Sequence, residues 1–194
     1  MNKVSTKEKI ISVALDLFHE KGINATSVDD ILAASDTGKS QFYYYFKSKE
    51  GLIGAVLDRL ADYIGNLKFM QHKGLDSFQD LEDFFHFFIN MNKNLDLPRA
   101  CPMGFIGAEL SPCQEELSVK VNQIFDSIKM TLKNFFDKAK KKGDFKKDLN
   151  TENLAEFCLA VIQGALITAK IRKNIKPLEI SVKHALKYIN FLRD

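Results

Sequence analysis

The chain has 194 residues, 45% of them hydrophobic and 27% charged. That is enough to bury a core as a small N-terminal domain plus a larger one, but its net charge of +3 gives no bulk attraction to a polyanion. Three widely spaced cysteines, Cys101, Cys113 and Cys158, argue against a disulfide framework or a four-ligand zinc site. No run of about 18 apolar residues is free of charge, and Met1-Asn-Lys-Val-Ser5 lacks the apolar segment of a signal peptide, so a cytoplasmic chain without a membrane partner is expected.

In chain order, Ile10, Ile11, Ala14, Leu15, Leu17 and Phe18 recur at three- and four-residue spacing, so 5–21 reads as an amphipathic helix stopping at Gly22. Thr26 or Ser27 caps a second helix, with Asp29 and Asp30 in its first turn and Val28, Ile31 and Leu32 as its apolar face. It runs to about Ala34 and breaks in Ser35-Asp-Thr-Gly38. A helix, a short break and another helix is the helix-turn-helix plan. At 100° per residue, a third helix with Phe42 inward carries Phe46, Gly38, Lys39 and Tyr45 on the same half. Ser40 and Tyr44 then point away, with Gln41 and Tyr43 on the flanks. Hydroxyls, an amide and phenol rings suit base edges and phosphates rather than a core.

Residues 1–50 hold seven lysines and seven acids, so attraction to DNA must come from local placement and from pairing of two chains. Gly38-Lys39-Ser40 matches the tail of a phosphate-binding loop, but position 33 is alanine where that loop needs glycine, and a helix rather than a strand precedes it. The four histidines form no paired motif, and no serine or cysteine sits in a nucleophile motif, so neither a cofactor nor an enzymatic activity is expected.

Downstream, every segment reads as helix. Leu52, Ile53, Val56, Leu57, Leu60, Ile64 and Leu67 make a long fourth helix from Lys49 to about Met70. A fifth runs from Phe78 to Leu95 and carries Phe84-Phe-His-Phe-Phe88, followed by a loop at Leu97-Pro-Arg-Ala-Cys-Pro102. A short helix near Gly104 to Leu110 precedes a long one from Gln114 to about Lys141, whose lysine-rich end suits a helix C-terminus. The helix between Thr151 and Lys173 has two apolar stripes, one of Leu154, Phe157, Cys158, Val161, Ala165 and Ala169, the other of Leu159, Ile162, Leu166 and Ile167, with Gly164 allowing close approach. One stripe serves its own bundle, and the surplus asks for a partner. A closing helix from Leu178 to Leu192, with Val182, Ala185, Leu186 and Ile189, offers a second such surface.

Residues 6–52 resemble the N-terminal DNA-binding domain of the TetR family of transcriptional regulators. The likeness rests on Ile11-Ser-Val-Ala-Leu-Asp-Leu-Phe18, His19-Glu-Lys-Gly22, Ala25-Thr-Ser-Val-Asp-Asp-Ile31, Phe42-Tyr-Tyr-Tyr-Phe46 and Lys47-Ser-Lys-Glu50. Asp36-Thr37-Gly38 and Ser40-Gln41 depart from the commoner family wording where sequence is read. The resemblance implies that Lys39, Ser40, Gln41 and Tyr44 meet bases or nearby backbone, and that Thr26, Ser27, Tyr43 and Lys49 meet phosphates. It implies an all-α fold of about nine helices, divided into a helix-turn-helix domain over 1–48 and an effector-binding and dimerisation domain over 49–194. The last two helices of each subunit would form a four-helix dimer interface, with Leu159, Gly164, Ile167, Val182, Ala185, Leu186 and Ile189 in it.

The expected activity is that of a homodimeric repressor on a palindromic operator, released when a small apolar or aromatic effector enters a cavity among the fifth to eighth helices. Phe84, Phe88, Cys101, Met103, Phe105, Phe125, Phe157 and Ile162 are its candidate walls. Two alternatives stand beside it. The Ala100-to-Leu110 segment resembles one in family members that sense electrophiles or oxidants through a cysteine, which would make Cys101 a thiol sensor; or the protein acts on DNA without an effector.

Overall fold

The computed structural model describes residues 5–71, 74–93, 95 and 98–193. Expectations resting on Lys3, His72 and Leu97, and on Met1 to Val4, lie outside the described residues. Among those described, nine α-helices and no named strand are present: α1 Thr6–Lys21, α2 Val28–Ser35, α3 Lys39–Phe46, α4 Lys49–Gly65, α5 Phe78–Lys93, α6 Pro102–Glu109, α7 Glu115–Lys142, α8 Thr151–Arg172 and α9 Lys176–Phe191. α4 is shorter than its apolar spacing suggested, because the helix breaks at Gly65-Asn66 and a separate 3₁₀ turn at Lys68–Met70 carries the pattern on.

Contacts divide the chain into two compact units: residues through Tyr63 with Pro102–Ile124, and Ile64–Cys101 with Phe125 onward. This division differs from a boundary at residue 48, because α6 and the start of α7 pack with the first helices.

In the first unit, Ile10, Ala14, Phe18, Ile31, Phe42 and Leu57 are fully buried. A Cβ on Gly107 of α6 would stand 3.1 Å from Val121 of α7, and one on Gly54 of α4 would stand 3.6 Å from Leu117. α6 also docks on the turn after α1: the Asn24 N–H donates to Glu109 Oε2 at 3.0 Å, and Asn24 Nδ2 donates to the Glu109 carbonyl at 3.1 Å. The His19 and Phe105 rings meet at 4.6 Å.

The second unit has a phenylalanine-rich core. Phe84, Phe85, Phe136 and Phe145 are buried, Phe84 sits edge-on to Phe69 and Phe88 at 5.0 and 5.4 Å, and α9 packs along α8 through buried Leu178, Val182, Ala185 and Ile189. α8 is long and apolar enough to cross a bilayer by length and composition. Leu154, Cys158, Ile162, Ala165 and Ala169 nevertheless spend one face of it inside the unit. Burial pushes the Cys158 thiol up to about 12, so it stays protonated and unreactive at neutral pH.

Candidate nucleic-acid interface

Both ends of α2, and the step from α3 into α4, are fixed by local chemistry. Ser27 opens α2 with a full capping box: its hydroxyl accepts from Asp30 N–H at 3.1 Å, while the Asp30 carboxylate accepts from the Ser27 N–H at 2.9 Å. The Ser27 bonds hold the exposed Asp30 carboxyl below the usual carboxylate range. α2 ends at Asp36 in the left-handed conformation, φ 48°, where the Thr37 N–H reaches the Leu32 carbonyl at 3.1 Å. Buried Ser35 ties its hydroxyl to Thr37 at 2.7 Å, so the turn into α3 is built from short polar side chains where a glycine would also fit. Ser48 then caps α4 through the Gly51 N–H at 3.0 Å. A Cβ on Gly51 would lie 2.0 Å from the Phe46 carbonyl oxygen, so that close approach of α4 to the end of α3 requires glycine.

This frame presents α3 on two buried anchors, Phe42 and Phe46, whose rings stand 5.5 Å apart. Ser40, Gln41, Tyr43 and Tyr44 are all exposed, Tyr44 by 72%. Lys39 and Tyr45, expected on the inward half, are exposed as well. An eight-residue helix buries only the two residues nearest its neighbours, and Tyr45 instead lines an open cleft of about 790 Å³ with Lys7, Lys47, Asp58 and Leu117. The Lys39 ammonium pairs with Asp29 of α2 at 3.0 Å, which raises the lysine above its ordinary range. Lys47 lies over the Tyr44 ring at 5.9 Å. Lys49 is half-buried in the first turn of α4.

Thr26 is a correction. It is fully buried, and its hydroxyl donates to the carbonyls of Gly22 at 2.7 Å and Leu17 at 3.4 Å, so the side chain closes the α1–α2 turn and is not open to a phosphate. Asp29, Lys47 and Asn24 were missed by sequence reasoning. Lys47, the first residue of the Lys-Ser-Lys-Glu step, and Asp29, an acid in the first turn of α2, carried local signals, and Asn24 carried none.

The expected effector residues separate. Met103 and Phe105 belong to the first unit; Phe84, Phe88, Cys101, Phe125, Phe157 and Ile162 belong to the second. Phe84, Cys101, Met103 and Ile162 are buried, and Phe88, Phe105 and Phe125 are partly so. Phe157 is corrected outward: it is 38% exposed, meets Tyr188 edge-on at 5.3 Å, and with Leu154 and Leu192 lines a surface cleft of about 390 Å³. None of the cysteines forms a disulfide. Among the described residues no group of three or more His, Cys, Asp or Glu is placed to hold a metal ion.

The residues expected at a partner face divide between the chain's own core and its surface. Leu159, Val182, Ala185 and Ile189 are buried within the chain's own α8–α9 packing, and Leu186 is half-buried. The outward surface carries Gly164, Ile167, Phe157 and Ile171 from α8 with Ile180, Tyr188 and Phe191 from α9. At 100° per residue, each helix gathers these side chains within an arc of about 80°.

Comparison with known proteins agrees with this geometry. Residues 10–56 match the family "Bacterial regulatory proteins, tetR family", and 77–185 match "Tetracyclin repressor-like, C-terminal domain". The HTH-type transcriptional repressor DhaR of Mycobacterium sp. (strain GP1) is 26% identical over 181 residues, covering 92% of this chain and 89% of DhaR. The crystal structure of a regulatory protein TetR from Rhodobacter sphaeroides superposes with a TM-score of 0.84 at 22% identity, over 93% of this chain and 97% of the other. A cysteine mutant of the TetR family regulator CifR, complexed with 26-bp double-strand operator DNA, superposes with a TM-score of 0.80 at 19% identity, over 96% and 98% of the two chains.

Proposed function

The chain belongs to the TetR family and is a DNA-binding transcriptional regulator, and from that premise we propose that it acts as a homodimeric repressor on a palindromic operator in the cytoplasm, released by a small apolar or aromatic effector. The observation that carries this reading is the α3 surface: two phenylalanines anchor the helix while Ser40, Gln41 and Tyr44 stand clear of the protein. Gln41 can pair bidentately with adenine, worth about 1–3 kcal/mol against a wrong base, while Ser27, Tyr43 and Lys49 meet the backbone. Lys39 is a mobile point charge for a phosphate or a base edge.

One helix of eight residues reads only a few base pairs, so two copies are needed. The apolar α8–α9 face supplies the pairing surface, and half-sites then stand about 34–36 Å apart or at a multiple of that. The effector enters the phenylalanine-rich second unit around Phe84 and Phe88 and favours a dimer whose reading helices no longer match that spacing, with α4 as the lever between them. Turning the population from 1:99 to 99:1 takes a preference of about 5.5 kcal/mol for the released state. Selection of bound sequences from random duplexes tests the reading: a two-fold symmetric consensus supports it, and absence of any enriched sequence overturns it. Melting shifts across a panel of apolar and aromatic compounds, set beside operator binding, test the effector; compounds that bind without changing DNA affinity refute the coupling.

A further inference from the structure

We infer that Glu109, a residue outside the helix-turn-helix, is a positioning residue for DNA reading: through Asn24 and Gly22 it latches the turn that enters α2 and so fixes the angle at which α3 is offered. The inference rests on the DNA-binding reading above and deepens it.

The latch joins residues 85 positions apart in sequence and is reciprocal. The Glu109 carboxylate accepts the Asn24 backbone N–H at 3.0 Å, and the Asn24 amide donates to the Glu109 carbonyl at 3.1 Å. That carbonyl is among the last four of α6, which have no partner within their own helix, so Asn24 caps α6 from a distance. A carboxylate at a helix C-terminus is disfavoured by the helix dipole, so Glu109 does not serve α6 by itself. What it serves is the turn. Gly22 adopts φ +85° and leaves room for the carboxylate: a Cβ there would stand 2.4 and 2.8 Å from its two oxygens.

From the turn the constraint passes to the reading surface without a loose joint. Thr26 Oγ1 donates to the Gly22 carbonyl at 2.7 Å, and Ile23, between them in the chain, is buried. Ser27 caps α2, and Ser35 with Thr37 sets the step into α3. A turn released on its α6 side lets α2 and α3 move together. Such a loss degrades the protein's hydrogen bonds to base edges before it degrades phosphate attraction, because those bonds are directional and charge is not.

The test uses the full-length chain and the duplex that wild type selects from random sequence. Glu109→Ala is expected to lower affinity for that duplex about tenfold while affinity for an unrelated duplex stays within about twofold, and to speed hydrogen exchange at the Asn24 amide. Glu109→Gln, which keeps an acceptor oxygen, is expected to retain most of the affinity. Gly22→Ala must displace the carboxylate, so its penalty is expected to be smaller in the Glu109→Ala background than in wild type. A specific-to-unrelated ratio unchanged in Glu109→Ala, or both affinities falling together with the melting temperature, overturns the latch and leaves the DNA reading standing. A wild-type chain that selects no duplex overturns both.

Discussion

Lys39 and Asp29 face each other across the α2–α3 turn at 3.0 Å, with 68% and 74% of their side chains open to solvent. The lysine proposed to meet DNA is therefore already paired with an acid that would stand near the phosphates, and the duplex must compete with Asp29 for it. Because both groups are exposed, the pair itself stabilises the fold by little, and its effect is on binding.

Asp29→Asn is expected to raise affinity for cognate and unrelated duplexes alike, by about three- to tenfold at low salt, with the gain shrinking as salt rises. Lys39→Ala should lower both and reduce the slope of log affinity against log salt by about 0.9, if the lysine ends on a phosphate. Titrations at several ionic strengths read both outcomes. An Asp29→Asn protein with unaltered affinity at low salt would show that the pair does not restrain the lysine.

Gln41 carries the sharpest specificity expectation. Gln41→Ala should cost about 1–3 kcal/mol on the selected duplex and relax preference at one position per half-site, leaving the others intact. A repeat selection with the variant reads the position directly. Uniform weakening across all positions would assign Gln41 to the backbone instead.

Local signals made the reader legible and long-range ones left the rest obscure. Gly22, the Ser27–Asp30 box and the Phe42–Phe46 pair each act within four residues, so sequence located α1 and α2 to within a residue or two and picked out the buried side of α3. Spacing in α9 identified an amphipathic helix but not which side met its own bundle. Val182, Ala185 and Ile189 went inward, while Ile180, Tyr188 and Phe191 stayed out, Phe191 against the usual order of burial. The Asn24–Glu109 bonds join segments with no pattern in common, and neither residue type announces such a partner.

That outward choice yields a test of the dimer. Nothing lies within 4 Å of a Cβ placed on Gly164, so Gly164→Leu is compatible with the single chain, and Ile171, 74% exposed, tolerates a charge there too. Gly164→Leu and Ile171→Asp are each expected to keep helical content, to run as monomers in light scattering and to lose operator binding. Val182→Asp, which places a charge in the chain's own core, should instead cost on the order of 3–5 kcal/mol of stability. An Ile171→Asp protein that remains dimeric would move the pairing surface elsewhere.

The second unit's response to acid follows from Asp137. Lys133 Nζ donates to its Oδ2 at 2.7 Å and Thr151 Oγ1 to its Oδ1 at 2.5 Å, and these bonds, the lysine's first, hold the carboxyl below the usual carboxylate range. A carboxyl lowered on folding adds stability that is complete above its unfolded value and is lost as pH falls through the folded one. The side chain is 34% exposed, so solvent screening keeps the contribution to at most about 1 kcal/mol. Asp137→Asn should therefore be less stable than wild type at pH 7 by that amount, and the difference should start to shrink below the ordinary carboxylate range and close as pH falls through the lowered folded value. Urea unfolding at pH 7 and along a series of falling pH values measures it. Thr151→Val, which removes one donor and keeps the charge pair, should fall between the two proteins at pH 7; a gap that persists unchanged to the acid end of that series would mean that Asp137 acts through packing and not through its charge.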